Sequence, residues 1–212
     1  SCPPADRVLQ DLVADADEEG LPVIGLSFHV DYWNYLGWAD PFSDAAYSSR
    51  QRNYNRSLKD GVYTPQMVVN GTRSFVGSRR GEALLAVKDA LSKVPKTPIS
   101  LDTKGLLGKK QTFTYSVTDL QPGQRVMVAL VERNLSRDVS RGENRGRTLH
   151  HTQVVRHFAP LEAPVDGKGR FSLDLPEDAN PEETFVVCFV QGAGLGPITG
   201  GVQLPWNTET AN

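Results

Sequence analysis

The chain has 212 residues, of which 39% are hydrophobic and 23% charged, with a formal net charge of -2. This is the composition of an ordinary folded protein; it excludes a disordered chain and offers no basic excess for nucleic acid. The longest apolar runs, at 126–131 and 185–190, fall far short of the ~20 residues that a membrane-spanning helix needs.

At the N-terminus, Cys2-Pro3-Pro4-Ala5-Asp6 reads as a helix start, because first-turn positions need no N–H and tolerate proline. Val8, Leu9, Leu12, Val13 and Ala16 follow at helical spacing, and Gly20 supplies the stop. The chain opens on Ser1 with no Met and no signal-type segment, so further residues upstream are expected in the natural protein. Pro22 to Val30 is a mostly apolar run of strand length, the pattern of a strand covered on both faces in a parallel sheet. A loop from Asp31 to Phe42 gathers Tyr32, Trp33, Tyr35 and Trp38, and Ser43 is placed to cap a helix running to about Lys59. Val62 to Val69 reads as a strand interrupted by Pro65. Asn70-Gly71 is a strong two-residue hairpin signal leading to a partner strand at 72–76. Residues 81–94 are helical in pattern, and Pro95-Lys96-Thr97-Pro98 reads as a linker.

Beyond the linker, short alternating runs at 99–103, 111–118, 125–131, 170–175 and 185–191 are separated by Gly and Pro turns. They predict antiparallel β structure. The polar stretch 134–147 is expected to be a long functional loop. Within it Glu143, Asn144, Arg145 and Arg147 form a charged group that fits either a solvated surface or an anion site. The expected layout is therefore an α/β domain at 1–96, a mostly antiparallel β-sandwich-like domain at 97–206 and a tail at 207–212.

Two cysteines, Cys2 and Cys188, are too few for a disulfide framework. Cys188 lies in the apolar run Val186-Val187-Cys188-Phe189-Val190 and reads as a buried small hydrophobe. Cys2 sits at the positive end of the first helix. His29 and Asp31 share one face of a strand end, and His150, His151 and His157 add imidazoles. Their spacing is not a compact ligand set, so no metal and no cofactor is expected.

The element order of the first 96 residues, with Thr64-Pro65 inside a strand, is that of a thioredoxin fold after its central strand. In such proteins a cis-proline packs beside the cysteine at the helix start, and Thr64-Pro65 falls at that place. A closer resemblance is carried by Ser1-Cys2-Pro3-Pro4-Ala5-Asp6, by His29-Val30-Asp31-Tyr32-Trp33 with Leu36-Gly37-Trp38 and Asp40-Pro41-Phe42, and by Val62 to Gly71. The stretch 142–149 and Val154-Val155-Arg156 also fit. Together they resemble the secreted bacterial, thioredoxin-like family catalogued as domain of unknown function 1223.

That resemblance makes Cys2 the second, resolving cysteine of a Cys-x-x-Cys whose nucleophilic first cysteine is absent from this sequence, with Thr64 and Pro65 beside it. It implies a thiol–disulfide oxidoreductase, periplasmic or secreted, acting on protein or small thiol substrates when the motif is complete. Tyr32, Trp33, Trp38 and Gln66 are the candidate substrate-binding residues; the flat amphipathic rings suit extended peptides, and the aromatic loop fits a lid over the core equally well. The alternative is a non-catalytic module presenting the aromatic loop to a protein or ligand. Neither nucleic acid nor a membrane span is expected, and the oligomeric state is left open.

Overall fold

The computed structural model describes residues 2–37, 39–107, 109–140, 145–146 and 148–206. The paired prolines open helix α1, Pro3–Glu19, with Cys2 in extended backbone at its N-cap. Val8, Leu12, Val13 and Ala16 form its buried stripe. Gly20 ends it at φ 67, in the left-handed region that glycine enters without penalty.

Residues 22–30, expected as a strand of a parallel sheet, build no ladder. Ser27 bridges Val154 and His29 bridges Ser43, both in parallel sense. Two isolated bridges leave too few consecutive pairs for a strand. Helix α2, Ala45–Leu58, begins one residue later than a Ser43 cap would place it. Asp44 is the cap, accepting from the Ala46 amide at 2.7 Å. The Ser43 hydroxyl is committed elsewhere, donating to the Asp40 carbonyl at 2.7 Å.

The Thr64–Pro65 peptide bond is cis. Strand β1, Gln66–Val69, starts only after the proline, and β2, Arg73–Val76, pairs with it antiparallel. Asn70 and Gly71, left-handed at φ 47 and 67, make the turn closed by the Thr72 amide donating to the Val69 carbonyl at 3.0 Å, but Val69 pairs with Arg73, so the connection has three residues rather than the two expected and β2 starts one residue later. Helix α3, Arg80–Leu91, buries Ala83 and Ala86 in a cluster with Val8, Leu12 and Phe75.

Seven strands follow: β3, Ile99–Leu107; β4, Lys110–Val117; β5, Arg125–Asp138; β6, Thr148–Pro160; β7, Lys168–Asp174; β8, Thr184–Gln191; and β9, Ile198–Pro205. They form a three-stranded sheet in the order β3-β4-β7 and a four-stranded sheet in the order β6-β5-β8-β9. The polar stretch 134–147 is shorter as a loop than its composition implies. Residues 134–138 continue β5, because Leu135 supplies a buried apolar position among the polar ones. Residues 141–144 and Arg147 lie outside the described residues, as do Ser1, Trp38, Gly108 and the tail 207–212.

The chain divides into two compact units, Ser1–Lys93 with Arg133–Val155, and Val94–Glu132 with Arg156–Asn212. The expected boundary at 96/97 is close to the first crossing, while 133–155 belongs with the first unit. In the second unit Leu101, Phe113, Tyr115 and Leu173 share one core with Val126, Val128, Leu130, Val186, Cys188 and Val190. At several points of close approach a Cβ would overlap its neighbours, two of them in the second unit's sheets. One at Gly200 would stand 1.9 Å from the Thr97 carbonyl oxygen, and one at Gly169 2.3 Å from the Tyr115 ring. No described helix is long and apolar enough to cross a membrane.

Candidate functional site

Cys2 is partly exposed, and its side chain makes no cap hydrogen bond. Its carbonyl accepts from the amides of Ala5 and Asp6 at 2.9 and 3.1 Å, which fixes the first turn of α1. Gly77 joins this turn to the cis-proline segment. Its amide donates to the Pro65 carbonyl at 2.9 Å, and a Cβ there would meet the Cβ atoms of Ala5 and Pro65 at 3.4 and 3.5 Å.

Gln51 of α2 ties the other candidates together. Its amide nitrogen donates to the Tyr63 carbonyl at 2.7 Å and to Gln66 Oε1 at 3.0 Å, and its own oxygen accepts the Tyr32 hydroxyl at 2.8 Å. Trp33 Nε1 donates to Thr64 Oγ1 at 3.1 Å. Gln66 Nε2 donates to Asn55 Oδ1 at 2.7 Å. Tyr32, Trp33, Thr64 and Gln66 therefore form one hydrogen-bonded wall, with Pro65 between the last two. Burial pushes the Tyr32 hydroxyl above its ordinary pKa, against the pull of its hydrogen bonds. The indole of Trp33 lies 5.3 Å from the Tyr32 ring and 6.5 Å from that of Tyr35, and Trp33 and Tyr35 are 45% and 76% exposed. Trp38, the remaining aromatic candidate, lies outside the described residues. Gln51 itself carries no sequence signal, since a polar residue in a helix is unremarkable on its own.

A second group lies in the same unit. His29 Nδ1 is 2.5 Å from Asp40 Oδ2. The His29 and His151 rings stand edge to face at 4.9 Å, and His151 Nδ1 is 3.6 Å from Asp6 Oδ2. Burial pushes the Asp40 carboxyl up, but the hydrogen bond and charge of His29 and the Phe42 amide outweigh it and hold the group below its ordinary value. Asp31, which shares a strand face with His29 in the sequence pattern, turns instead to Ser48, whose hydroxyl donates to it at 2.5 Å. His150 pairs with Ser136 at 2.8 Å and His157 is exposed. Among the described residues no group of three His, Cys, Asp or Glu side chains is arranged to hold a metal ion.

Cys188 is fully buried in the second unit, and burial pushes its thiol up to about 12. It is therefore not a nucleophile at neutral pH. Arg145 is exposed, whereas Glu143, Asn144 and Arg147 lie outside the described residues.

Helices and antiparallel sheets in two units, with one partly exposed cysteine at a helix start, define a mixed α/β protein. The chain belongs to the family described as protein of unknown function (DUF1223), whose family model matches residues 1–191. It is similar to a crystal structure of a protein from Agrobacterium tumefaciens, at 27% identity over 100% of this chain and 90% of that one, with a TM-score of 0.68. It also resembles HBP35 of Porphyromonas gingivalis in fold alone, at 13% identity over 78% of this chain and 59% of that one, with a TM-score of 0.51. No curated protein matches it.

Proposed function

We propose that the first unit is a thioredoxin-like module of a periplasmic or secreted protein that acts as a thiol–disulfide oxidoreductase when its Cys-x-x-Cys is complete, and that Cys2, the resolving position of that motif, is the thiol that exchanges with disulfides in the sequence given. The observation that carries this reading is the seat of Cys2. It caps α1 with its side chain making no cap hydrogen bond, and Gly77, whose amide donates to the Pro65 carbonyl, lies beside Ala5 of that helix's first turn. A cysteine at a helix N-terminus meets the positive end of the backbone dipole, the environment in which thiolates are stabilised and attack disulfides. The wall of Tyr32, Trp33, Thr64 and Gln66 gives a peptide flat rings and a hydroxyl to lie against. Substrates would be protein or small-molecule disulfides, exchanged through a mixed disulfide at Cys2. Incubating the chain with oxidised glutathione and mapping the adduct by mass spectrometry tests this. A mixed disulfide confined to Cys2 supports it, and an unmodified chain refutes it.

The exposure of Trp33 and Tyr35 favours a second reading, a binding module that presents this loop without turnover. Replacing both residues with Ala separates the two readings. Formation of the mixed disulfide at Cys2 survives if Cys2 does the chemistry, and only partner capture is lost if the loop merely binds.

A further inference from the structure

His151 is buried to 1% of its side chain, and neither ring nitrogen has a hydrogen-bond partner; the same holds for Asp6 Oδ2, which faces it at 3.6 Å. A neutral imidazole carries one donor and one acceptor, and burying both unmade is costly. Such a group in a native core calls for an explanation in a bound water, an ion or a chemical role. The surroundings narrow the choice. Behind His151 stands His29 at 4.9 Å between ring centres, and behind His29 stands Asp40 at 2.5 Å. In front stands Asp6, in the first turn of the helix that Cys2 caps, its amide donating to the Cys2 carbonyl at 3.1 Å. The result is a row of two carboxylates and two imidazoles, supplied by α1, β6 and the loop after residue 28, whose outer end lies one helical turn from the only partly exposed thiol.

We propose that Asp6 and His151 form the acid–base pair that serves Cys2, with His29 and Asp40 as positioning residues behind them. This rests on the reading of Cys2 as an exchanging thiol. The pair takes the proton from the Cys2 S–H. The thiolate attacks a disulfide of a peptide or small molecule, a new S–S bond forms at Cys2, the old S–S bond breaks, and the departing thiolate takes the proton back. Asp40, held ionised by its bond to His29, fixes that ring, and the His29 edge in turn fixes the face of His151. His151 acts through Asp6, so its part is to set the charge and orientation of that carboxylate.

The test is the rate at which the full chain reacts with a neutral aromatic disulfide, followed from about pH 5 to about pH 9. Asp6→Asn and His151→Gln are each expected to slow the reaction by about tenfold near neutrality and to remove an inflection from the profile, with the difference vanishing in alkali where the thiol ionises unaided. Variant rates within about twofold of the unsubstituted chain at every pH overturn the proposal. Should either variant fail to fold, the unsubstituted chain gives the answer. Its alkylation at Cys2 by iodoacetamide, followed over the same pH range, is expected to depart from a single-ionisation curve because a second group shares the proton. A profile described by the ionisation of the thiol alone overturns the proposal. The two readings separate cleanly, because the absolute rate against an unfolded peptide thiol judges Cys2, while the variant-to-parent ratio judges the pair.

Discussion

The amide of Gly77 donates a 2.9 Å hydrogen bond to the carbonyl of Pro65, and a Cβ at Gly77 would sit in contact with both Pro65 and Ala5. The spacing of 3.4 and 3.5 Å to those two Cβ atoms accommodates one methyl group and no more. Gly77→Ala is therefore expected to leave stability within about 0.5 kcal/mol. Gly77→Val, whose extra methyls exceed that space, is expected to cost about 1–3 kcal/mol. Urea unfolding of the two variants checks the contrast, and equal losses would refute it.

Acid sensitivity follows from two carboxylates. Burial raises Asp40, but the hydrogen bond and charge of His29 outweigh it and leave the group depressed; the Ser74 and Tyr63 hydroxyls and the Gly61 amide depress Asp60. A carboxylate whose folded pKa lies below its unfolded value contributes stability that is present above the unfolded value, about 4, and lost as pH falls through the folded one. Stability is thus expected to decline below about pH 4, and Asp40→Asn or Asp60→Asn to flatten part of that decline. Unfolding curves at a series of acid pH values measure it, and an unchanged slope in both variants would contradict it.

In the second unit Glu132 is 2% exposed and bonded to Arg156, while its other oxygen accepts from the Asn180 amide at 3.0 Å. Arg156 also donates to Asp178 at 2.5 Å. Arg156→Met strips the partner from a buried charge and is expected to cost about 3–5 kcal/mol, whereas adding Glu132→Leu recovers part of the loss. A double variant no more stable than Arg156→Met alone would show that the pair is not what the buried charge depends on.

Gly200 lies so close to the Thr97 carbonyl that a methyl group overlaps it, with 1.9 Å between the atoms. Backbone cannot yield as a side chain does, so Gly200→Ala is expected to cost about 1–3 kcal/mol in denaturant unfolding. Gly61→Ala, which meets nothing within 4 Å, serves as the comparison. Similar stability for both variants would argue against this close packing.

The elements that sequence reading recovers are those with local causes. Pro3 and Pro4 with Gly20 bracket α1, Asn70-Gly71 makes the hairpin, and the apolar spacing after Gly81 gives α3. What it misreads depends on distant partners. Residues 22–30 have a strand's composition but bridge Val154 and Ser43 only singly, which no local pattern reveals. Residues 134–138 look like loop yet continue β5, and β6 and β9 carry too much polarity or glycine to announce themselves. At the site, period-two reasoning pairs His29 with Asp31, whereas the fold pairs it with Asp40 and gives Asp31 to Ser48. Asp6 and His151 meet only because α1 and β6 fold into one unit, so their relationship is invisible in the sequence.

Whether Cys2 is an exchanging thiol is decided most directly by its second-order rate with a small aromatic disulfide at neutral pH, set against the same residues in an unfolded peptide. Cys188, buried with its thiol pushed up to about 12, stays silent and leaves a single-site signal. The predicted result is one equivalent of mixed disulfide at Cys2, formed about tenfold or more faster than in the peptide. A rate equal to that of the peptide, or an adduct that forms only after denaturation, would contradict it.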